Sequence, residues 1–189
     1  MATENPKSTI QNKEVIVLSG VRGVGKTLIA KKAQKKIKFE IFEFFEEMAK
    51  LAKMRYTTKN KTLIFKRIFE NDDYFTKLRK AAIRKIQRSN SKKLIVETRF
   101  AIPEKFFLPE LTINELTQIS PKKIILVESK RESFLKNLGK EFGEENVKEL
   151  VNRERNYSKF AAEHLKIPIK IIENEKLNES LRNFVKAIK

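Results

Sequence analysis

The stretch that decides the fold is Gly20-Val21-Arg22-Gly23-Val24-Gly25-Lys26-Thr27, called the P-loop below. It fits the pattern G-x-x-x-x-G-K-[ST], in which the glycines let the backbone curl around phosphate oxygens. In this pattern the lysine ammonium reaches the β- and γ-phosphates, and the hydroxyl that follows it is a ligand of Mg²⁺. The stretch therefore predicts a binding site for ATP or another nucleoside triphosphate, together with its magnesium ion.

The flanking sequence places the loop between a strand and a helix. Residues 14–19 before it form an apolar, β-branched run that is typical of a buried parallel strand. Apolar residues at 29, 30, 33 and 37 after it follow the spacing of a helix. Such a helix directs the positive end of its dipole at an anion, so we expect the nucleotide here, with the Lys26 side chain exposed. The predicted nucleotide-binding residues are Gly20, Arg22, Gly23, Val24, Gly25, Lys26, Thr27 and Leu28.

Composition narrows the class of protein. The 189 residues include no cysteine and one histidine, which excludes disulfides and thiolate metal sites and argues against a zinc site. A hydrophobic content of 40% with only 5 Gly and 5 Pro fits one globular domain, expected over residues 13–189 after a flexible lead-in at 1–12. No apolar run approaches membrane-spanning length and the N-terminus lacks an apolar signal core, so we expect a cytoplasmic enzyme without a membrane partner.

The net charge is unusual. With 42 Lys+Arg against 24 Asp+Glu, the formal charge is +18, which favours polyanions such as nucleotides, RNA or acidic surfaces. The lysines are spread over the whole chain, and this favours a solvated lysine-rich surface over a dedicated nucleic-acid site. We therefore expect any binding of nucleic acid to be weak.

Hydrophobic periodicity along the chain predicts an α/β fold. The predicted strands are 13–19, 38–41, 93–98, 124–128 and 167–172, and the predicted helices are 26–37, a helix from 42, 62–70, 73–89, 112–119, 130–138, 146–165 and 177–188. Asp72 is the expected N-cap of the helix 73–89, and Gly139 to Glu145 reads as a charged, glycine-interrupted segment. This order implies the three-layer α/β/α fold of P-loop NTPases, a five-stranded parallel sheet with helices on both faces.

The strand at 93–98 contributes a carboxylate. An apolar strand that ends in an acid, beside the P-loop strand, is the form taken by the acidic partner that holds the Mg²⁺ shell. This makes Thr27 and Glu97 the predicted metal ligands; the alternative is that Glu97 only ends the strand. Ligands of open parallel sheets lie at the carboxyl ends of the strands, where the P-loop, Glu97, Arg99 and Lys130-Arg131 all fall.

The P-loop, the length and the element order resemble the archaeal-type adenylate kinases. Shorter likenesses lie at Met48-Ala49-Lys50, at Leu94–Arg99 (a strand that ends Asp-Thr-His in that family), at Phe107-Leu108-Pro109, at Val127-Glu128 and at Asn152-Arg153. The resemblance implies transfer of the γ-phosphoryl group of Mg-ATP to AMP or a related monophosphate. It also implies acceptor-site helices over about 42–90, a closing lid over about 131–153 and a homo-oligomer, a trimer in that family.

The chain departs from that family in both halves of the site. Arg22 stands where the family usually carries proline, and Phe42-Glu43 replaces a Gly-Thr pair that lines the monophosphate site. The segment 139–145 replaces the arginine cluster of the family's lid. An arginine on the transferring phosphoryl group can be worth ~10³–10⁵ in rate, so the replacement bears directly on activity.

The remaining arginines are the candidates for that charge. By the family match, Arg67 binds the acceptor phosphate, and Arg153 joins Lys26 and Arg67 as a catalytic group; the alternative for Arg67 is an exposed charge on its helix. Arg99, at the strand end, is expected to bind the same phosphate. Arg131 and Arg155 are the other candidates. Because Arg153 and Arg155 are two residues apart on a helix, they point roughly 200° apart and cannot both face the site.

Three functions remain open on the sequence alone. The first is the nucleoside monophosphate kinase that the resemblance implies. The second is an adenylate-kinase-like ATPase that acts in RNA or ribosome assembly, which the basic charge and the altered lid favour. The third is a nucleotide-binding module without turnover.

Overall fold

The computed structural model describes residues 13–53, 67–68, 71–102 and 109–189. The strands are β1 (Glu14–Ser19), β2 (Glu40–Glu43), β3 (Lys93–Glu97), β4 (Lys123–Glu128) and β5 (Ile169–Glu173). The helices are α1 (Lys26–Gln34), α2 (Phe44–Leu51), α3 (Asp72–Arg88), α4 (Ile113–Ile119), α5 (Glu132–Phe142), α6 (Glu144–His164) and α7 (Leu177–Ile188). The expected lead-in at 1–12, most of the predicted helix at 62–70 and Phe107-Leu108 lie outside the described residues.

All five strands are parallel, in the order β2-β3-β1-β4-β5. The central strand β1 is buried from Val15 to Ser19, as its continuous apolar run predicts for a strand covered on both faces. Its register against β3 pairs Leu18 with Glu97, so the P-loop and the acid that ends β3 leave the sheet side by side. The predicted five-stranded parallel sheet is confirmed.

Helices cover both faces of this sheet. Successive side chains of β1 point to opposite faces, so Val15 and Val17 join one buried cluster and Ile16 and Leu18 join the other. The first cluster contains residues of α2, α3, α4 and α6, and the second contains residues of α1, α5, α6 and α7. Fully burying a side chain such as Phe44 or Phe184 contributes about 1.5–3 kcal/mol. The three-layer prediction is therefore confirmed.

Two local predictions are wrong. Asn71, not Asp72, is the N-cap of α3, because its extended backbone lets the side chain accept from the Tyr74 N–H at 2.8 Å. Asp72 is instead in the first helical turn, where its charge complements the helix dipole. Phe42 lies in β2 rather than in the following helix, because the strand begins at Glu40, two residues later than predicted.

The glycine interruption predicted at residue 139 is also wrong. α5 continues through Gly139 to Phe142, and the chain breaks only at Gly143, which has φ 87°. A Cβ at Gly139 would lie 2.9 Å from Cγ of Glu144, so the small residue lets α5 and the start of α6 approach closely. The expected lid region is thus a pair of packed helices joined at Gly143. None of the helices in the described ranges has the length and apolar content needed to cross a bilayer.

Candidate active site

Two glycines of the P-loop are required by its geometry. Gly20 has φ 144°, and a Cβ there would lie 2.4 Å from the carbonyl oxygen of Val127 on β4. Gly25 adopts φ 100° and is the residue from which α1 begins. Residues with side chains rarely adopt such conformations. The loop therefore turns directly from the end of β1 into the N-terminus of α1, as the sequence predicts.

The loop opens onto a cleft of about 330 Å³. Six of the predicted nucleotide-binding residues line it, namely Arg22, Gly23, Gly25, Lys26, Thr27 and Leu28. Gly20 is buried, and Val24 is fully buried in the hydrophobic core. The opposite half of the cleft is formed by the ends of β2 and β3 with the start of α2, and it is called the acceptor half below after the acceptor site that the sequence predicts there. Residues that line it include Glu43, Phe45, Glu46, Thr98, Arg99 and Glu110.

Lys26 is buried rather than exposed. Only 6% of it is accessible, and its Nζ donates to the carbonyl oxygens of Gly20 at 2.5 Å and Val21 at 3.2 Å. Burial lowers the pKa of Lys26, and the negative charges of Glu97 and Glu154 oppose that shift. The expected exposure is wrong because the loop curls over its own lysine. Phosphate oxygens would have to replace these two carbonyls.

The two predicted metal ligands lie together. The Thr27 hydroxyl donates to both carboxylate oxygens of Glu97, at 2.7 and 2.9 Å. Burial raises the pKa of Glu97, while the nearby Lys26 cation and the Thr27 hydrogen bond work against that rise. Glu97 therefore does more than end a strand, since it faces the P-loop hydroxyl across the cleft.

This pair is a suitable donor set for Mg²⁺. Both side chains offer oxygen, and Mg²⁺ is usually held by one or two protein groups together with substrate phosphates and waters. Across the part of the chain that the structure describes, no group of three or more His, Cys, Asp and Glu side chains could hold a metal by itself. Thr27 and Glu97 thus suit a magnesium ion that arrives with a nucleotide.

Arg99 is in the acceptor half but is tied to a carboxylate that sequence reasoning missed. Its Nε donates to Glu110 Oε1 at 2.7 Å and its Nη2 binds the same oxygen. Glu110 also accepts from the Thr98 hydroxyl and the Arg99 N–H, both at 3.0 Å. The guanidinium lies 5.4 Å from the ring centroid of Phe45. The charge of Arg99 is thereby neutralised, and no local pattern around Glu110 announces this role.

The other predicted arginines lie elsewhere. Arg67 is exposed and is not among the described residues that line the cleft. Arg153 is half-exposed and pairs with Glu149 one turn earlier on α6, at 2.7 Å. Arg155 forms a two-pronged pair with Glu128 at the end of β4, at 2.6 and 2.9 Å. The structure therefore does not bring these three arginines to the P-loop.

Arg131 does lie beside the P-loop. Together with Arg22 and Gly23 it lines a second cavity of about 320 Å³, between the loop and α5. Arg22 pairs with Glu141 on α5, and Arg131 Nε donates to the Ser129 hydroxyl at 3.2 Å. One cation of the loop, Arg22, and one beside it, Arg131, therefore lie on the side of the expected lid.

Two buried polar side chains that the sequence did not single out hold the loop from behind. Asn174, just after β5, donates its Nδ2 to the Val24 carbonyl oxygen at 2.7 Å. Glu154 of α6 accepts from the Gly20 N–H at 2.7 Å and is only 1% exposed. Burial raises the pKa of Glu154, against its three backbone hydrogen bonds and Lys26. In sequence Glu154 lies within Asn-Arg-Glu-Arg-Asn, which is typical of a solvated helix face.

Comparison with known proteins agrees with this architecture. A family described as "AAA domain" matches residues 19–155. A shikimate kinase of Caldanaerobacter subterraneus subsp. tengcongensis is 27% identical over 183 residues, which cover 90% of this chain and 96% of the relative.

Solved structures share the fold. Shikimate kinase from Aquifex aeolicus superposes with a TM-score of 0.60 at 17% identity, covering 92% of this chain and 95% of that one. Shikimate kinase from Acinetobacter baumannii, in complex with shikimate, gives 0.59 at 13% identity, covering 97% and 94%. These relatives are kinases of P-loop architecture, and their names do not support the narrower resemblance to adenylate kinases.

Proposed function

Since the chain belongs to the AAA domain family, we propose that it is an ATP-dependent phosphotransferase that moves the γ-phosphoryl group of Mg-ATP to a small molecule. The observation that carries the proposal is the contact between Thr27 and Glu97, which places a hydroxyl and a carboxylate at the mouth of the P-loop beside Lys26. Hydroxyl, carboxylate and lysine are the groups that P-loop enzymes use on a magnesium nucleotide.

In this proposal the protein supplies position and positive charge. The P-loop and Lys26 hold the donor phosphates, and Thr27 and Glu97 hold Mg²⁺, which when bound neutralises charge on the β- and γ-phosphate oxygens. Arg22 of the loop and Arg131 beside it line one cavity and are the cations proposed to meet the transferring group. Holding donor and acceptor in line accounts for most of the rate gain in such reactions.

The acceptor half favours a hydroxyl acceptor over a phosphate acceptor. Glu43 and Glu46 line it, and the charge of its Arg99 is taken up by Glu110. A phosphate acceptor brings more negative charge to these carboxylates than a singly charged acceptor such as shikimate does, and the proton of a hydroxyl acceptor can pass to a carboxylate. We therefore propose a small hydroxylated acceptor, with shikimate as the first candidate because the named relatives are shikimate kinases.

The transfer needs one base, which takes the proton of the acceptor hydroxyl. The acceptor oxygen forms a bond to the γ-phosphorus while the bond from that phosphorus to the β–γ bridging oxygen breaks, which releases ADP. The hydroxyl proton passes to a carboxylate. Glu46 is the proposed base, because Glu43 is already paired with Lys31 at 2.9 Å.

AMP or a related monophosphate is the second candidate acceptor. The motifs shared with archaeal-type adenylate kinases and the position of Arg99 in the acceptor half support it. In that reaction Arg67 and Arg99 would meet the acceptor phosphate, and no base is needed.

A product assay separates these functions. The protein is incubated with Mg-ATP and shikimate, AMP or no acceptor, and phosphorus NMR follows the products, with Lys26→Met as the inactive control. We expect ADP together with a phosphate ester, formed only when shikimate is present. ADP formed without free phosphate, and only in the sample that contains AMP, would assign the monophosphate kinase. Free phosphate released at the same rate under all three conditions would overturn the transfer and leave an ATPase.

A further inference from the structure

Glu154 bridges two segments that leave the sheet at different strands. Its Oε1 accepts from the Gly20 N–H at 2.7 Å, at the start of the P-loop. Its Oε2 accepts from the N–H groups of Phe100 and Ala101, at 2.7 and 2.8 Å, just after β3. One carboxylate therefore joins the P-loop to the segment that carries Arg99.

The helix that bears Glu154 is itself fixed to the sheet. The hydroxyl of Ser158, one turn later, lies 2.7 Å from the hydroxyl of Ser19 at the end of β1. Arg155 holds Glu128 at the end of β4 through two hydrogen bonds. Because α6 is held at both strand ends, the Glu154 carboxylate is a rigid link rather than a mobile side chain.

Gly20 of the P-loop is held through both of its backbone groups. Lys26 Nζ donates to the Gly20 carbonyl oxygen, and Glu154 accepts from the Gly20 N–H. When phosphate oxygens replace that carbonyl as the partner of Lys26, the forces on Gly20 change. Glu154 is the contact that carries a shift of Gly20 to Phe100 and Ala101.

A buried carboxylate is costly unless its hydrogen bonds are satisfied. Packing alone would be served as well by an apolar side chain. The partners of Glu154 are instead the first residue of the P-loop and the two residues that follow Arg99. Arg99 in turn holds Glu110, a residue of the acceptor half.

We propose that Glu154 is a positioning residue that couples binding of Mg-ATP at the P-loop to ordering of the acceptor half through residues 99–101. The proposal deepens the proposed function. It rests on the part of that function that concerns nucleotide binding, but not on the identity of the acceptor.

The test uses Glu154→Gln in the full chain. Glutamine keeps the size of the side chain but has only one acceptor oxygen. That oxygen can accept either from Gly20 or from Phe100 and Ala101, and the NH₂ group then faces the remaining N–H donors, which it cannot bind. The link is then broken on one side while the volume is retained. Glu163→Gln, an exposed change on the same helix, is the matched control.

The readout is the exchange rate of the Glu110 amide, followed by NMR. This N–H donates to the Arg99 carbonyl oxygen at 2.9 Å and does not contact Glu154, so it reports the acceptor half alone. We expect Mg-ATP to slow its exchange by about fivefold or more in the parent and in Glu163→Gln. In Glu154→Gln, Mg-ATP should bind with affinity within a few-fold of the parent and leave this exchange rate unchanged. The variant should also lower kcat with the KM for ATP nearly unchanged.

Three results would overturn the coupling. The first is that Mg-ATP slows exchange of the Glu110 amide equally in Glu154→Gln and in the parent, and the second is that Mg-ATP does not slow it in the parent. The third is that the variant no longer binds Mg-ATP, which would make Glu154 only a support of the P-loop. If the glutamine variant does not fold, Glu154→Asp replaces it, because aspartate keeps the charge but is too short to contact both segments. Slowing of Glu110 amide exchange by Mg-ATP to the same extent as in the parent would then count equally against the proposal. Failure of the product assay would refute phosphoryl transfer without altering any exchange rate, so the two proposals fail separately.

Discussion

The Thr27 hydroxyl donates to both carboxylate oxygens of Glu97, at 2.7 and 2.9 Å, although the two residues are 70 positions apart. Thr27 lies in the first turn of α1 and Glu97 ends β3. They meet because β1 and β3 are parallel neighbours and Leu18 is in register with Glu97. The pairing of the two strands thus places the carboxylate of Glu97 next to the P-loop hydroxyl.

Replacing Glu97 by Gln should stabilise the protein without ligand in a pH-dependent way. Because burial raises the pKa of Glu97, the folded protein holds this proton more tightly than the unfolded chain does. The free energy of unfolding of the parent therefore falls as pH rises from the unfolded to the folded pKa, and the variant lacks this fall. Thermal melts should show no difference between the two proteins in acid and a higher melting temperature for the variant at neutral pH.

The same change should impair phosphoryl transfer, because an amide is a weaker magnesium ligand than a carboxylate. Glu163→Gln, exposed on α6, should alter neither property. If Glu97→Gln melts at a lower temperature than the parent at neutral pH, burial of the Glu97 carboxylate does not destabilise the protein and the prediction is wrong.

Replacing Lys26 by Met should remove the stabilisation by nucleotide. Saturating Mg-ATP, at 100-fold over its dissociation constant, should stabilise the parent by ~2.7 kcal/mol. Lys32→Met, at an exposed position of the same helix, should keep that stabilisation. Melts with and without Mg-ATP measure the effect, and equal shifts in all three proteins would place the nucleotide elsewhere.

Arg131→Lys should slow turnover more than Arg153→Lys does. Arg131 flanks the P-loop, whereas Arg153 pairs with Glu149 on an exposed part of α6. Lysine keeps the charge but loses the planar fork that grips two phosphate oxygens. We expect a drop of ~10²-fold in kcat for Arg131→Lys, with ATP affinity within a few-fold of the parent. The reverse ranking in steady-state kinetics would restore Arg153 as the catalytic arginine.

Gly25→Ala should destabilise the protein partly through Asn174. A Cβ at Gly25 would lie 2.5 Å from Asn174 Nδ2, on a backbone with φ 100°. We expect a loss of about 1–3 kcal/mol from the backbone conformation, with the contact adding to it. Urea denaturation of both single variants and the double variant Gly25→Ala/Asn174→Ala measures the coupling, expected at about 0.5–3 kcal/mol. Strict additivity would show that the two side chains do not meet.

Binding to RNA should be weak and sensitive to salt. The +18 charge is spread over the chain, so phosphate contacts should dominate and affinity should fall linearly on a log–log plot against salt. We expect binding to disappear near physiological salt in a filter or polarisation titration. Salt-resistant nanomolar binding to one RNA would instead support the assembly ATPase.

Much of the fold could be predicted from sequence because it depends on short-range patterns. Apolar runs mark β1, β3 and β4, helical spacing marks α1 and α7, and the glycine spacing of the P-loop requires backbone that only glycine readily adopts. The errors were equally local. The cap depended on which of two adjacent side chains accepts from the Tyr74 N–H, and the helix continued through Gly139, where the next helix packs closely.

The site could be predicted only where one segment carries it. Sequence by itself determined the P-loop and the acid at the end of β3, and helix geometry established that Arg153 and Arg155 diverge. The tertiary structure decided which of the two faces the sheet, since Glu128 at the end of β4 binds Arg155. It also decided that Glu154 is buried behind the P-loop. Such contacts join residues distant in sequence, and their partners are set by strand order and helix packing, which no local pattern encodes.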